Sequence, residues 1–181
     1  MRKLKLDELN RLSTEAFKEA EKLPVIVVLD NVRSAMNIGS VFRTCDAFLL
    51  EAIYLVGISA VPPNREIFKT ALGATETVDW QYFEDPEACI EKIRTYGGKI
   101  FCIEQSDSSV LLQDFTPDRS QKNVLIFGNE VSGVSEAFVK ICDACIEVPQ
   151  WGMKHSLNVA VCAGIVLWEA VRKFRAIGSG S

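Results

Sequence analysis

Four polar side chains, Lys154, His155, Ser156 and Asn158, stand at the start of an apolar run with helical spacing, inside the stretch IEVPQWGMKHSLNVAVCAGIVLWEA from Ile146 to Ala170. A helix start carries unpaired backbone N–H groups that favour electron-rich ligands, so a hydroxyl, an amide and a cation beside it can orient one. Ser156 occupies an N-cap or first-turn position, and its plainer reading is a helix cap with Asn158 supporting the turn. Behind them Val159, Val161, Cys162, Ile165, Val166, Trp168 and Val171 form the wide apolar stripe of a core helix. A second polar constellation lies between Asp30 and Phe48, DNVRSAMNIGSVFRTCDAF. Here Asn37 can cap a helix, Gly39 and Ser40 keep its first turn slim for something to approach, and Arg43 follows six residues on. Arg43 is either functional or a solvated face. The third constellation is Gly128 to Ser135, GNEVSGVS, where two glycines around Glu130 suit a backbone packed close to a ligand or a simple strand-to-helix turn, and Ser135 can cap a helix through Ile141.

Each constellation follows an apolar run. Val25 to Leu29 is continuous and β-branched, as in a strand buried on both faces, and Asp30 and Asn31 follow where such strands open into loops. Ala52 to Gly57, Lys99 to Glu104, Asn123 to Gly128 and Ile146 to Val148 read as further strands, with Thr77 to Trp80 a short one. Helices alternate with them: one through Leu72 ending on Gly73 as C-cap, one over Glu87 to Tyr96 opened by Pro86 and stopped by Gly97-Gly98. Five or six strands separated by helices imply an α/β fold, a mostly parallel sheet with helices on both faces. Ligands gather at the carboxyl ends of such strands. The exits after Leu29, Phe127 and Val148 would bring Asn37, Arg43, Glu130, Ser156 and Asn158 around one cleft.

A length of 181 residues fits one domain, 24–175, preceded by an amphipathic helix over 1–23 and followed by a flexible tail, 176–181. With 48% hydrophobic and 24% charged residues the composition is that of a globular protein. The charged first twenty residues hold no apolar signal segment, and no run of about eighteen apolar residues occurs, which predicts a cytoplasmic protein with no membrane span. Six cysteines should then stay reduced. Cys142 and Cys145 have CxxC spacing, but with no second pair and a single histidine a zinc site is not expected. A net charge of −4 leaves nucleic acid open, since a local basic patch can bind phosphates on an acidic protein. The glycine patterns GxGxxG and GxxxxGK are absent, which argues against a Rossmann-type or P-loop nucleotide module.

The segments NIGSVFR (Asn37 to Arg43), FGNEVSGVS (Phe127 to Ser135) and VPQWGMKHSLNVAV, in this order, closely resemble the three motifs of the SpoU (TrmH-like) branch of the SPOUT RNA methyltransferases. KTALGATETV resembles the family's intervening segment, so the likeness covers about residues 24 to 174. Val131 stands where the family usually has glycine, and Gln150 where it commonly has methionine. The resemblance implies a C-terminal deep trefoil knot that holds S-adenosylmethionine, and methyl transfer to a ribose 2′-hydroxyl of structured RNA. Transfer RNA is favoured over ribosomal RNA, because the long N-terminal RNA-binding domain of some ribosomal enzymes is lacking. Carried over position by position, Arg43, Asn37, Ser156 and Asn158 are the catalytic set. Gly128, Ile146, Val148 and Leu157 hold the cofactor, and Glu130, Arg33 and Lys154 are the candidate RNA-binding residues. No metal is needed for this chemistry. The family resemblance also implies a homodimer in which Arg43 approaches the partner's cofactor. The alternatives are a non-catalytic knotted RNA-binding protein and an unrelated α/β nucleotide-binding enzyme.

Overall fold

The computed structural model describes residues 1–5, 8, 11–153 and 156–176. Its centre is β1 (Leu23–Asp30), whose last six residues are all buried. Beside it lie β2 (Leu50–Val56) and β6 (Asn123–Phe127), and outside these β3 (Asp79–Phe83), β4 (Lys99–Ile103), β7 (Ala144–Glu147) and the two-residue β5 (Val110–Leu111). The order is β3-β2-β1-β6-β4-β7-β5, and every pair is parallel. Seven strands therefore stand where the sequence suggested five or six; β5 is too short and too exposed to announce itself by hydrophobicity.

Both faces of the sheet are covered, which is why its central strands read as continuous apolar runs rather than alternating ones. On one face α2 (Ala35–Ala47), α3 (Arg65–Ala71) and α7 (Val159–Ala176) close a core with Val27, Leu29, Ile53, Leu125 and Ile146. On the other, α5 (Pro86–Arg94) and the short α6 (Glu136–Val139) pack with Ile26, Val28, Val124 and Ile126. α4 (Ala74–Thr77) completes the helices after the N-terminal one. That first helix, α1, spans only Thr14–Glu19, capped by the Ser13 side chain on Ala16 N, so the longer helix expected over 1–23 is not formed across the described residues. Residues 177–181, most of the expected tail, lie outside the described residues. No helix among the described residues is long and apolar enough to cross a membrane.

Register is what builds the site. Leu29 pairs with Phe127, Phe127 with Ile103, and Ile103 with Ile146, so four strand ends are level. The connections after β1, β6, β4 and β7 consequently leave from one edge of the molecule. On that edge α7 buries Val159, Val166, Leu167, Val171 and Phe174, each contributing about 1.5–3 kcal/mol by removal from water. Its other flank is bare, with Val161, Ile165 and Trp168 at 53%, 40% and 56% exposure. The apolar stripe expected to be all core is therefore split between core and surface.

Candidate active site

Three amide and carboxylate side chains from the three loops join in one chain of hydrogen bonds. Asn158 Nδ2 donates to Asn37 Oδ1 at 3.2 Å, and Asn37 Nδ2 donates to Glu130 Oε1 at 3.1 Å. The caps that free these groups differ from expectation. Ser34, not Asn37, caps α2, its hydroxyl accepting from Asn37 N at 3.3 Å, so the Asn37 side chain is left to face across the cleft. Asn158, not Ser156, caps α7, its Oδ1 accepting from Ala160 N (3.0 Å) and Val161 N (3.3 Å). One asparagine thus uses its oxygen on the helix and its nitrogen on the site. Gly39 also has a different reason: a Cβ there would strike Thr70 Oγ1 and Ile67 O, so the small residue lets α3 approach α2.

The loop that carries Glu130 is fixed mainly by Asn129, Asp30 and Asn31, none of them a candidate site residue. Asn129 exchanges backbone hydrogen bonds with Gly133, and its Oδ1 accepts from Val131 N (2.8 Å) and Ser132 N (3.2 Å). Its Nδ2 donates to Asn31 O at 2.7 Å, tying the loop to the end of β1. The buried Asp30 carboxylate accepts from Ser135 N at 2.6 Å and from Asn31 Nδ2 at 2.8 Å. Asn31 itself is left-handed, with φ 56°, a conformation asparagine tolerates better than most. An Asp-Asn pair at a strand exit was the available signal. Gly128 is held by the same loop, since a Cβ there would overlap Gly133 C and Val134 N.

Between this loop, the ends of β4 and β7 and the start of α7 lies a cavity of about 390 Å³, within the range of small-molecule sites. Gly128, Ile146, Val148 and Leu157 all line it, as do Glu130 and Ser156. Phe127, Ile103 and Val159 add apolar wall, and Glu104, Gln105 and Glu147 add polar groups that the sequence did not single out. Cys162 also lines it, but burial, with Glu104 adding, pushes its thiol up to about 11, so it stays protonated and is no nucleophile. Among the described residues no cluster of metal-ligating side chains occurs.

Arg43 does not join this cavity. Six helical residues rotate it about 240° from Asn37, and it lines a separate open depression with Ser40, Thr44, Phe48, Lys69 and Thr70. Phe48 in turn rests on Trp168, ring centroids 5.9 Å apart, which joins the depression to the bare flank of α7. The expected single cleft is thus corrected to a cleft without its arginine. Arg33 is exposed on the loop after β1 and does not line the cavity, and Lys154 lies outside the described residues.

A tRNA (guanosine(18)-2′-O)-methyltransferase of Aquifex aeolicus is 33% identical over 159 residues, covering 86% of this chain and 72% of that protein. A 23S rRNA (guanosine-2′-O-)-methyltransferase, RlmB, of Neisseria meningitidis is 29% identical, covering 88% of this chain and 62% of its own length. Among solved structures, the A. aeolicus TrmH/SpoU tRNA modifying enzyme superposes with a TM-score of 0.77 at 31% identity, covering 91% of this chain and 82% of that one. An AdoMet-bound rRNA methyltransferase from Sinorhizobium meliloti gives 0.77 at 28% identity, covering 87% and 60%. This chain therefore spans less than two thirds of the Neisseria protein and of the Sinorhizobium structure. A family model described as the SpoU rRNA Methylase family matches residues 24–168, which take in β1, the Asn37–Glu130–Asn158 chain and the whole cavity wall, and the protein belongs to that family.

Proposed function

We propose that the protein methylates a ribose 2′-hydroxyl in structured RNA, using S-adenosylmethionine. The carrying observation is that the loops after β1, β6 and β7 meet at level strand ends and join Asn37, Glu130 and Asn158 beside a ligand-sized cavity, in a chain of the SpoU family. The tRNA-modifying relative at 33% identity makes transfer RNA the first substrate to test, with ribosomal RNA second.

The cavity fits the cofactor in size and in its mix of apolar wall, strand-end backbone and carboxylate. S-adenosylmethionine supplies a methyl group on positively charged sulfur. Gly128, Ile146, Val148 and Leu157 would hold it by backbone groups and apolar contact. Ser156 and Asn158 would position the ribose, while Glu130 keeps the loop ordered and, with Arg33 and Lys154, meets the RNA. A hydroxyl is a weak nucleophile and must lose its proton as the methyl arrives. Arg43 carries a guanidinium, which offers five N–H donors and no acceptor, so it is a poor proton acceptor. Its role is to bind the neighbouring phosphate and stabilise the developing alkoxide, leaving a phosphate oxygen or water to take the proton.

Two finer features belong to this reading. The first is a deep trefoil knot at the C-terminus, which is supported by β7 lying inside β5 in the sheet and by the 112–115 segment wrapped on α7, where Lys173 donates to Gln113 O at 2.7 Å. The second is a homodimer through the bare flank of α7, which would carry Arg43 to the partner's cavity. Its support is the exposed row Val161, Ile165 and Trp168 continuous with the Arg43 depression. Incubation with methyl-labelled S-adenosylmethionine and total RNA, followed by mapping of the modified nucleotide, tests the function. Label in a single 2′-O-methylated nucleotide is expected; RNA binding with no transfer would favour a non-catalytic binding protein instead.

A further inference from the structure

Two carboxylates on the cavity wall, Glu104 and Glu147, take no part in the Asn37–Glu130–Asn158 chain; Glu147 accepts from the Ser109 hydroxyl at 2.8 Å, whereas Glu104 is held by backbone alone. Glu104 sits at the exit of β4, and its two oxygens accept from the backbone N–H of Gln105 (3.0 Å) and Val134 (3.1 Å). Gly133 packs so closely that any Cβ there would strike the carboxylate. The two N–H donors fix the group on the cavity wall. Glu104 shares the cavity with Cys162 on the first turn of α7, whose thiol is raised first by burial and then by this carboxylate. No lysine or arginine lines the cavity among the described residues.

We propose that Glu104 sets ligand specificity by charge, favouring the sulfonium of S-adenosylmethionine over the neutral thioether of S-adenosylhomocysteine. The inference rests on the cofactor reading above. The two ligands share their adenosine and amino-acid parts and differ by one methyl group and one unit of charge, so shape alone separates them poorly. A fixed carboxylate in a partly enclosed cavity attracts the sulfonium and gains nothing from an uncharged thioether sulfur, while any attraction to the shared α-ammonium is common to both ligands. The protein would therefore release its product in preference to its cofactor, and accumulated product would inhibit it weakly.

Calorimetric titration of both ligands into the wild-type protein and Glu104→Gln tests this, with a thermal melt of each protein. The wild type should bind S-adenosylmethionine more tightly than S-adenosylhomocysteine. Glu104→Gln should lose about tenfold in affinity for the former, or about 1.4 kcal/mol, and change less than about twofold for the latter. An equal loss for both ligands would mean that Glu104 only secures the backbone at Val134, and would overturn the inference. Unchanged affinities, or a wild type that prefers the thioether, would overturn it too, the second without reference to any variant. A wild-type protein that binds neither ligand would instead overturn the cofactor reading itself.

Discussion

Asn158 carries two duties that a single substitution can separate. Its oxygen caps α7 and its nitrogen donates to Asn37. Asn158→Asp keeps the acceptor and suits a helix N-terminus, but it removes the donor, so melting should be almost unchanged while methyl transfer falls on the order of 10²-fold. Asn158→Ala should lose the activity and also about 1 kcal/mol of stability. Melting curves alongside single-turnover assays separate the two, and an aspartate variant of full activity would remove Asn158 from the site. At this scale the sequence singled out Asn37, Glu130 and Asn158, which the structure joins, and misjudged how they are held. Ser34 looked like loop, so Asn37 was given its cap, and Ser156 stood nearer the expected helix start than Asn158 does. Arg43 was drawn into the cleft because linear closeness to Asn37 says nothing of rotation around the helix.

Strands and helices were more legible than their junctions. The continuous apolar run of β1 and the Pro86 opening of α5 were readable because burial on both faces and a fixed proline φ leave plain marks. Gly73 was less so: Leu72, in the left-handed region at φ 50°, ends α3, and Gly73 begins α4. The loop after β6 was legible in composition but not in cause. The sequence reading set a ligand against Gly128, which does line the cavity, but the place a Cβ would take is filled by the backbone of Gly133 and Val134. Gly128→Ala should therefore lower the melting temperature and the cofactor affinity together; lost affinity at an unchanged melting temperature would restore direct ligand contact. In α7, Glu169 accepts from Arg172 Nη2 (2.7 Å) and Nε (2.8 Å) and pairs with Lys173 at 3.2 Å. These cations, Arg172 foremost, hold its carboxyl at about 2, below the ordinary 4.5. Because the folded value is depressed, the stabilisation is complete above about pH 4.5 and is lost as pH falls towards 2. Glu169→Gln should cost about 1–2 kcal/mol at neutral pH, and denaturant titrations at pH 7 and pH 3 should show that difference shrinking.

For the molecule as a whole, the apolar helix around Trp168 and Phe174 offers more hydrophobic surface than one α/β layer obviously covers, but an apolar stripe cannot say which residues a neighbour covers: Phe174 is buried, while Val161, Ile165 and Trp168 form the bare flank of α7. If two copies meet there, Trp168→Asp should give a folded monomer by light scattering with little methyl transfer. Arg43→Ala and Ser156→Ala should each be inactive, yet mixing them with subunit exchange should partly restore activity, since one of the two shared sites is then intact. No recovery after verified exchange would place Arg43 in its own chain's reaction. The strand order has a further consequence, in the time it takes the chain to fold. β1 lies between β2, which follows it closely, and β6, which begins only at Asn123, and the Asn37–Glu130–Asn158 chain joins segments from both halves of the sequence. Such distant pairings must overcome loop-closure entropy before any of them stabilises the sheet, so refolding should be slow beside that of helical proteins. Until β6 arrives, β1 presents an unpaired edge that is apolar from Leu23 to Leu29, and a chain stalled before Asn123 should aggregate rather than wait as a soluble half.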